Sequence, residues 1–290
     1  MPELPEVETV ARSLKEPLEG RTIVDVAVRW PRTLALPKGR DAGDKLRQQL
    51  LGRRVVSVRR RGKYVVIALD KDFLLIHLKM SGRLQIVPRH EPVDKHVQAL
   101  FDLDDGRQLR FHDVRKFGRI YLVDRVESVT TVLGPEPLDG ELGLADFRGL
   151  LARRSGRLKS LLLNQSFLAG LGNIYADESL FRARLHPLRR ADSLSGEEQE
   201  RLYRAVRAVL EEAIADQGTT LSDGGYADAA GQAGRHQERL AVYHRTGKPC
   251  PQCQTPVARL IVGGRSSHFC PTCQPEDGRP CLPLTATGQS

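Results

Sequence analysis

Gly134-Pro135-Glu136-Pro137 divides this 290-residue chain into two stretches of different pattern. Two prolines within four residues disfavour helix and central strand alike, so the segment reads as a linker. Upstream, from Arg21 to about Val132, short alternating or β-branched runs recur: Thr22–Val28, Val55–Val58, Tyr64–Leu69, Phe73–Leu78, Arg83–Val87, Val97–Leu103, Gln108–His112 and Arg119–Val123. Turn signals such as Asp104-Asp105-Gly106 lie between them. Many short strands joined by polar turns predict a β-sandwich or barrel. A helix over 5–16 leads into it, with Pro5 suited to a first turn and Val7, Val10, Ala11 and Leu14 at helical spacing.

Downstream of the linker the period becomes helical, over 145–153, 158–165, 174–183 and 196–216. The last of these puts Leu202, Val206, Val209, Leu210 and Ile214 on one face and charges on the other. Residues 217–238, rich in Gly, Ala, Asp and Gln, read as a mobile loop. The expected class is therefore α+β multidomain. A β-sandwich with a leading helix fills 2–132, a linker 133–143, a helical domain 144–239, a cysteine module 240–274 and a disordered tail 275–290.

Net charge is +9, a balance that suits a polyanionic partner, most commonly nucleic acid. Arginine clusters at 59–61, 153–154 and 189–190 contribute to it, although such clusters are also ordinary solvated surface. No run of about 18 apolar residues occurs, so no membrane span is expected. The start, Met1 to Val10, lacks a basic segment followed by an apolar one, so a cytoplasmic protein without an export signal is expected.

Four of the five cysteines form two Cys-x2-Cys pairs, Cys250/Cys253 and Cys270/Cys273, separated by sixteen residues. That spacing lies within the pattern of a structural zinc site. Four thiolates complete a tetrahedron and leave no position for water, so one Zn²⁺ is expected to hold structure and do no chemistry. A module of this size buries little core, and the metal serves as its staple. Between the pairs Val257, Arg259 and Ile261 alternate, Gly263-Gly264 turns the chain and residues 266–269 return. A β-hairpin with Arg265 at or beside its tip follows, a shape suited to a DNA groove.

The amino terminus carries a second candidate. With proline following, Met1 is expected to be removed, which leaves Pro2 with a free secondary amine. An α-amino group titrates near pH ~8, so about a tenth is neutral and nucleophilic at pH 7. Glu3 is adjacent and Glu6 follows three residues on. Acidic residues at a helix start are also ordinary dipole partners.

Taken together, these motifs resemble the formamidopyrimidine-DNA glycosylase family, over about residues 2–274. The opening Pro2-Glu3-Leu4-Pro5-Glu6-Val7-Glu8 is similar to the family's start, and Arg61-Gly62-Lys63-Tyr64 to its lysine loop. His77-Leu78-Lys79-Met80-Ser81-Gly82 and Asp113-Val114-Arg115-Lys116-Phe117-Gly118 resemble its two wedge loops. Gly170-Leu171-Gly172-Asn173-Ile174-Tyr175-Ala176-Asp177-Glu178 resembles its helix–two-turn–helix motif, and the cysteine hairpin its zinc finger.

The resemblance implies a bifunctional DNA glycosylase and abasic-site lyase. It would remove oxidised purines such as 8-oxoguanine and formamidopyrimidines from duplex DNA. Pro2 would be the nucleophile and Glu3 the proton donor, with Lys63 and Arg265 assisting strand cleavage. Met80, Arg115 and Phe117 would fill the space vacated by an extruded nucleotide, since the bond to be cut is inaccessible in the stack. Asn173, at the start of a helix, would bind phosphate, as would His96 and Lys159. His77 reads as a structural histidine. The implied partner is double-stranded DNA containing oxidised bases or abasic sites, and a monomer is expected.

Two departures stand out. Gly234-Arg235-His236-Gln237 occupies the place of the family's Gly-Tyr-Phe-like stretch, after a loop that would cover the extruded base, and His244 stands where glycine is usual. Two other functions remain open on the residues alone: an endonuclease VIII-like activity on oxidised pyrimidines, against which Leu4 and the Met80/Arg115/Phe117 set argue, and a non-catalytic damaged-DNA-binding protein.

Overall fold

A computed structural model describes residues 1–39, 41–221 and 226–276. Cys281 and nearly all of the expected tail lie outside the described residues. The chain divides into two units, 1–133 with 212–238, and 134–211 with the residues from 239 onward.

In the first unit, α1 (Leu4–Leu18) buries Val7, Val10, Ala11, Leu14 and Leu18, one more turn of the stripe than the sequence suggests. Nine strands follow: β1 (Ile23–Val28), β2 (Leu34–Leu36), β3 (Val55–Arg61), β4 (Tyr64–Leu69), β5 (Phe73–His77), β6 (Gly82–Pro88), β7 (Val97–Leu103), β8 (Arg107–Asp113) and β9 (Arg119–Val123). They form a four-stranded sheet, β1-β7-β8-β6, and a five-stranded sheet, β2-β9-β5-β4-β3. Inward residues of both sheets, among them Val26, Phe101 and Phe111 from one and Val58, Ile67 and Ile76 from the other, join the α1 stripe in one core. This is the expected sandwich. Burial along β4 and β7 is nearly continuous rather than alternating, as for strands covered on both faces. The outer face of the five-stranded sheet is closed by Val66, Leu75, Val123 and Val126.

Among the described residues of this stretch, β2, α2 (Ala42–Leu50), the single-turn α3 (Glu127–Thr130) and a 3-10 turn over Pro31–Thr33 are additional to the expected strands. Helix α2 anchors itself with only Ala42, Leu46 and Leu50 among charged and amide side chains, a weak periodic signal.

The segment expected to be mobile is packed over its described residues. Tyr226 and Ala229 join the core of the first unit. The Ala229 carbonyl accepts the Ile86 N–H, and its own N–H donates to the Ser13 hydroxyl. Consequently 212–238 belongs with the sandwich rather than with the helical domain expected over 144–239.

The second unit holds α4 (Leu144–Ala152), α5 (Leu158–Leu163), α6 (Asn173–Arg182) and most of α7 (Gly196–Ala215). It also contains the hairpin of β10 (Ala258–Val262) and β11 (Arg265–Phe269), so the cysteine module belongs to the same compact unit as these helices. Val262 pairs with Arg265 across Gly263-Gly264, whose φ values of +56° and +75° are those of a type I′ turn. No helix among the described residues is long and apolar enough to cross a membrane.

Candidate active site

The start of α1 is buried, Pro2 included, and Glu3 is only 2 % exposed. Glu3 is the extended residue before the helix, and its backbone N–H donates to Glu6 Oε2 at 2.8 Å. The other Glu6 oxygen accepts the N–H of Thr219 at 2.7 Å. With both oxygens engaged by backbone donors, Glu6 is an organiser, and Glu3 is the carboxyl that adjoins Pro2.

What brings Thr219 to Glu6 is the end of α7. Gln217 and Gly218 are left-handed (φ +61° and +82°), and their N–H groups return to Ile214 and Ala213. A Cβ on Gly218 would lie 2.9 Å from Glu6 Oε1, and one on Gly234 would lie 2.2 Å from the Gly218 carbonyl oxygen. Both glycines are therefore required by close approach. The departure at 234–237 closes the same stem: His236 Nδ1 lies 2.9 Å from Asp216 Oδ2, and Gln237 Oε1 accepts the Thr220 N–H at 3.0 Å. Burial foremost, and then Glu6, keep the Tyr226 phenol protonated, and its hydroxyl donates to the Gln217 carbonyl.

Lys63 is the second residue of the two-residue turn between β3 and β4, with Gly62 at φ +56° as a type II′ turn requires. For a lysine at a hairpin tip it is unusually buried, at 7 % exposure. Tyr64 pairs with His77 on β5. His77 is neutral, pushed down to about 3 by burial and then by Lys79 and Lys63. Its Nδ1 accepts the Lys79 N–H, which leaves the proton on Nε2. The histidine is structural, as its sequence context suggests.

The loops 77–82 and 113–118 are joined by Asp113, which is fully buried. It accepts hydrogen bonds from the Ser81 hydroxyl and from the N–H groups of Arg115 and Gly118. Ser81 Oγ also accepts the Arg115 N–H. Met80 and Phe117 stand out at 37 % and 48 % exposure, and the Arg115 guanidinium lies 4.9 Å from the Phe117 ring centre. Left-handed Lys79 and Lys116 (φ +55° and +59°) turn the chain next to Met80 and Phe117. His96 is half-buried nearby in sequence, with its ring edge against His112.

In the second unit Asn173 is the first residue of α6, and Gly172 takes the capping position. Asn173 Oδ1 is buried without a hydrogen-bond partner. Lys159 departs from the expected phosphate contact. It is fully buried, and Nζ donates to Asp177 Oδ1 at 2.7 Å and to the Asn173 carbonyl at 3.0 Å. An ammonium so enclosed positions the α6 start instead of meeting solvent or a ligand.

Asp177 also receives the Ser267 hydroxyl and the His268 N–H, so it docks β11 onto α6. Glu178 accepts three successive N–H groups, of Ala241, Val242 and Tyr243; burial raises it in spite of them. His244, where glycine is usual, is left-handed (φ +56°) and stacks on Tyr243. Arg265 is exposed at the first position of β11.

The four cysteine sulfurs lie within 4.8 Å of one another. Tetrahedral Zn–S bonds of about 2.3 Å place sulfurs about 3.8 Å apart. The observed Cys250–Cys273 and Cys253–Cys270 separations of 3.9 and 3.4 Å bracket that edge, so the cluster fits a zinc ion.

The sequence does not mark Glu6, Asp113, Asp177 or Glu178 as site organisers. Each lies inside one of these motifs and has at least one partner outside it: Thr219 for Glu6, Ser81 for Asp113, Lys159, Ser267 and His268 for Asp177, and residues 241–243 for Glu178.

Three family models match this chain: formamidopyrimidine-DNA glycosylase N-terminal domain over 1–120, formamidopyrimidine-DNA glycosylase H2TH domain over 133–224, and a zinc finger found in FPG and IleRS over 247–275. A formamidopyrimidine-DNA glycosylase of Heliobacterium modesticaldum is 50% identical, covering 94% of this chain and 100% of the relative. Among solved structures, MutM (Fpg) of Thermus thermophilus superposes with a TM-score of 0.84 at 46% identity, covering 95% of this chain and 99% of that one. The Lactococcus lactis Fpg in complex with DNA containing an abasic site gives 0.86 at 32% identity, over 94% and 99%.

Proposed function

The chain belongs to the formamidopyrimidine-DNA glycosylase family, and from that premise we propose that it is a bifunctional base-excision-repair enzyme. It removes oxidised purines, 8-oxoguanine and formamidopyrimidines, from duplex DNA and cleaves the strand at the resulting site. It acts as a monomer in the cytoplasm, and one structural Zn²⁺ on Cys250, Cys253, Cys270 and Cys273 holds the hairpin that presents Arg265.

Freed of Met1, the Pro2 nitrogen attacks C1′ of the damaged nucleotide. The glycosidic bond breaks and its electron pair leaves with the base, which takes up the amine's proton. Glu3 then donates a proton to the sugar ring oxygen as the C1′–O4′ bond breaks towards that oxygen, and the nitrogen lone pair closes the C=N bond. The product is an iminium, cationic without further protonation because the amine is secondary. It acidifies C2′. Loss of a C2′ proton to water drives out the 3′ phosphate with the C3′–O electron pair, and Lys63 offsets the charge of that departing group. A second elimination expels the 5′ phosphate, with Arg265 on its oxygens.

Met80, Arg115 and Phe117 occupy the gap in the stack, whose opening costs a few kcal/mol. Asn173 and His96 grip the backbone. The observation that carries this reading is the enclosed start of α1, where Glu3 is buried beside Pro2 with its backbone pinned by Glu6.

Borohydride trapping tests it. The processed protein should form a covalent adduct with an 8-oxoguanine duplex, and the adduct should vanish when Pro2 carries an N-terminal extension. Tight binding with no adduct in the unblocked protein would favour a binding module instead. Faster excision of thymine glycol than of 8-oxoguanine opposite cytosine would favour the endonuclease VIII-like activity.

A further inference from the structure

We propose that Glu8 and Arg60 are positioning residues for Lys63, and that their effect falls on strand cleavage rather than on base removal. The inference rests on the role given to Lys63 above. Arg60, on β3, is two residues before the turn, and its side chain is 9 % exposed. Its Nη1 donates to the Gly62 carbonyl at 3.1 Å, the oxygen of the peptide that leads directly into Lys63. Its Nε donates to Glu8 Oε2 at 3.0 Å. The second Glu8 oxygen accepts Arg12 Nε at 2.7 Å, one turn further along α1. A single planar guanidinium therefore ties the peptide before Lys63 to the helix that begins beside Pro2 and Glu3.

The pairing of β3 with β4 runs from Val55↔Leu69 to Arg61↔Tyr64, with Arg60 opposite Val65, and sets the hairpin register through the backbone without the Arg60 side chain. What Arg60 adds is the orientation of the tip. A lysine at position 60 would keep the charge but could not direct two fixed donors along the Glu8 and Gly62 directions at once. Burial favours the protonated form of Glu8, but Arg60 and then Arg12 hold its carboxyl below the usual range, so the link is ionic at neutral pH.

The test uses the full-length processed protein on a duplex with a preformed abasic site. Single-turnover nicking and borohydride-trapped uncleaved adduct are measured for wild type, Arg60→Lys and Glu8→Gln. Displacing Lys63 by a fraction of an ångström should slow nicking by about tenfold in Arg60→Lys, while trapped, uncleaved adduct rises because the iminium forms and waits. Excision of 8-oxoguanine should stay within about threefold of wild type on the same reasoning. Glu8→Gln keeps an acceptor oxygen and should shift the same ratio less, and the double variant should be no worse than Arg60→Lys alone. Parallel loss of nicking, adduct and excision in both variants would show a purely structural pair and overturn the proposal. Absence of adduct in the wild type would instead overturn the Pro2 mechanism on which it depends.

Discussion

Asp177→Ala should cost the second unit about 4 kcal/mol at pH 7, because breaking a fully buried ion pair leaves the other charge stranded. Lys159 and Asp177 are both 0 % exposed along their side chains. Without the carboxylate the ammonium retains the Asn173 carbonyl but loses its counter-charge, and the Ser267 hydroxyl and His268 N–H lose their acceptor. The stranded lysine can escape by shedding its proton. An unfolded lysine titrates at about pH 10.4, so holding it neutral at pH 7 costs about 4 to 5 kcal/mol, which sets a ceiling on the charge penalty.

That escape gives the variant a pH signature. Lysine in the folded variant titrates below its unfolded value, so between the two values the unfolded chain binds one more proton. Stability then rises with pH, by about 1.4 kcal/mol per unit. The gap between variant and wild type should narrow by about 2 to 3 kcal/mol from pH 7 to pH 9. The single tryptophan, Trp30, lies in the first unit and does not report on this region. Hydrogen exchange of peptides from α6 and the β10–β11 hairpin, with urea titration followed by circular dichroism, supplies the measurement. A gap below about 1 kcal/mol at pH 7, or one that does not change by pH 9, would refute the reasoning, since a buried unpaired ammonium permits neither.

Three further outcomes are expected. His77, held neutral at about 3 against an unfolded value of 6.5, contributes stability that is complete above pH 6.5 and is lost as pH falls. His77→Gln should therefore flatten the acid limb, with about 2 kcal/mol less loss between pH 7 and pH 5 by urea midpoint. Gly218→Ala puts a Cβ 2.9 Å from Glu6 Oε1 in a left-handed residue, and should lower stability by about 1 to 3 kcal/mol along with the yield of trapped adduct. Cys270→Ser, or removal of metal by a chelator, should weaken binding to duplex DNA through loss of the Arg265 hairpin, read by fluorescence anisotropy; unchanged affinity would show that the hairpin is dispensable.

The same physics explains which parts of this molecule are legible in its chain. The eight expected strands are present because alternation and β-branching act over neighbouring residues, and pairing merely extends them, as from Val55–Val58 to Val55–Arg61. The cysteines are likewise marked by their spacing and Pro2 by its place after Met1, whereas Lys63 is marked only through the resemblance of residues 61–64 to the family's lysine loop. The resemblance implies a phosphate contact for Lys159 because a sequence reports its charge and not its burial, and the carboxylate that neutralises it is eighteen residues away. The 217–238 segment has the composition of a free loop, yet Tyr226 and Ala229 seat it in the sandwich core. Glu6 reaches its second donor across 213 residues. The groups proposed to react are thus marked by motif, whereas the groups that hold them in register are chosen by the fold. Substitutions at Glu6, Asp113 and Asp177 should therefore disturb the chemistry by releasing partners outside their own motifs, and one at Arg60 should do so while leaving every motif by which the family is recognised intact.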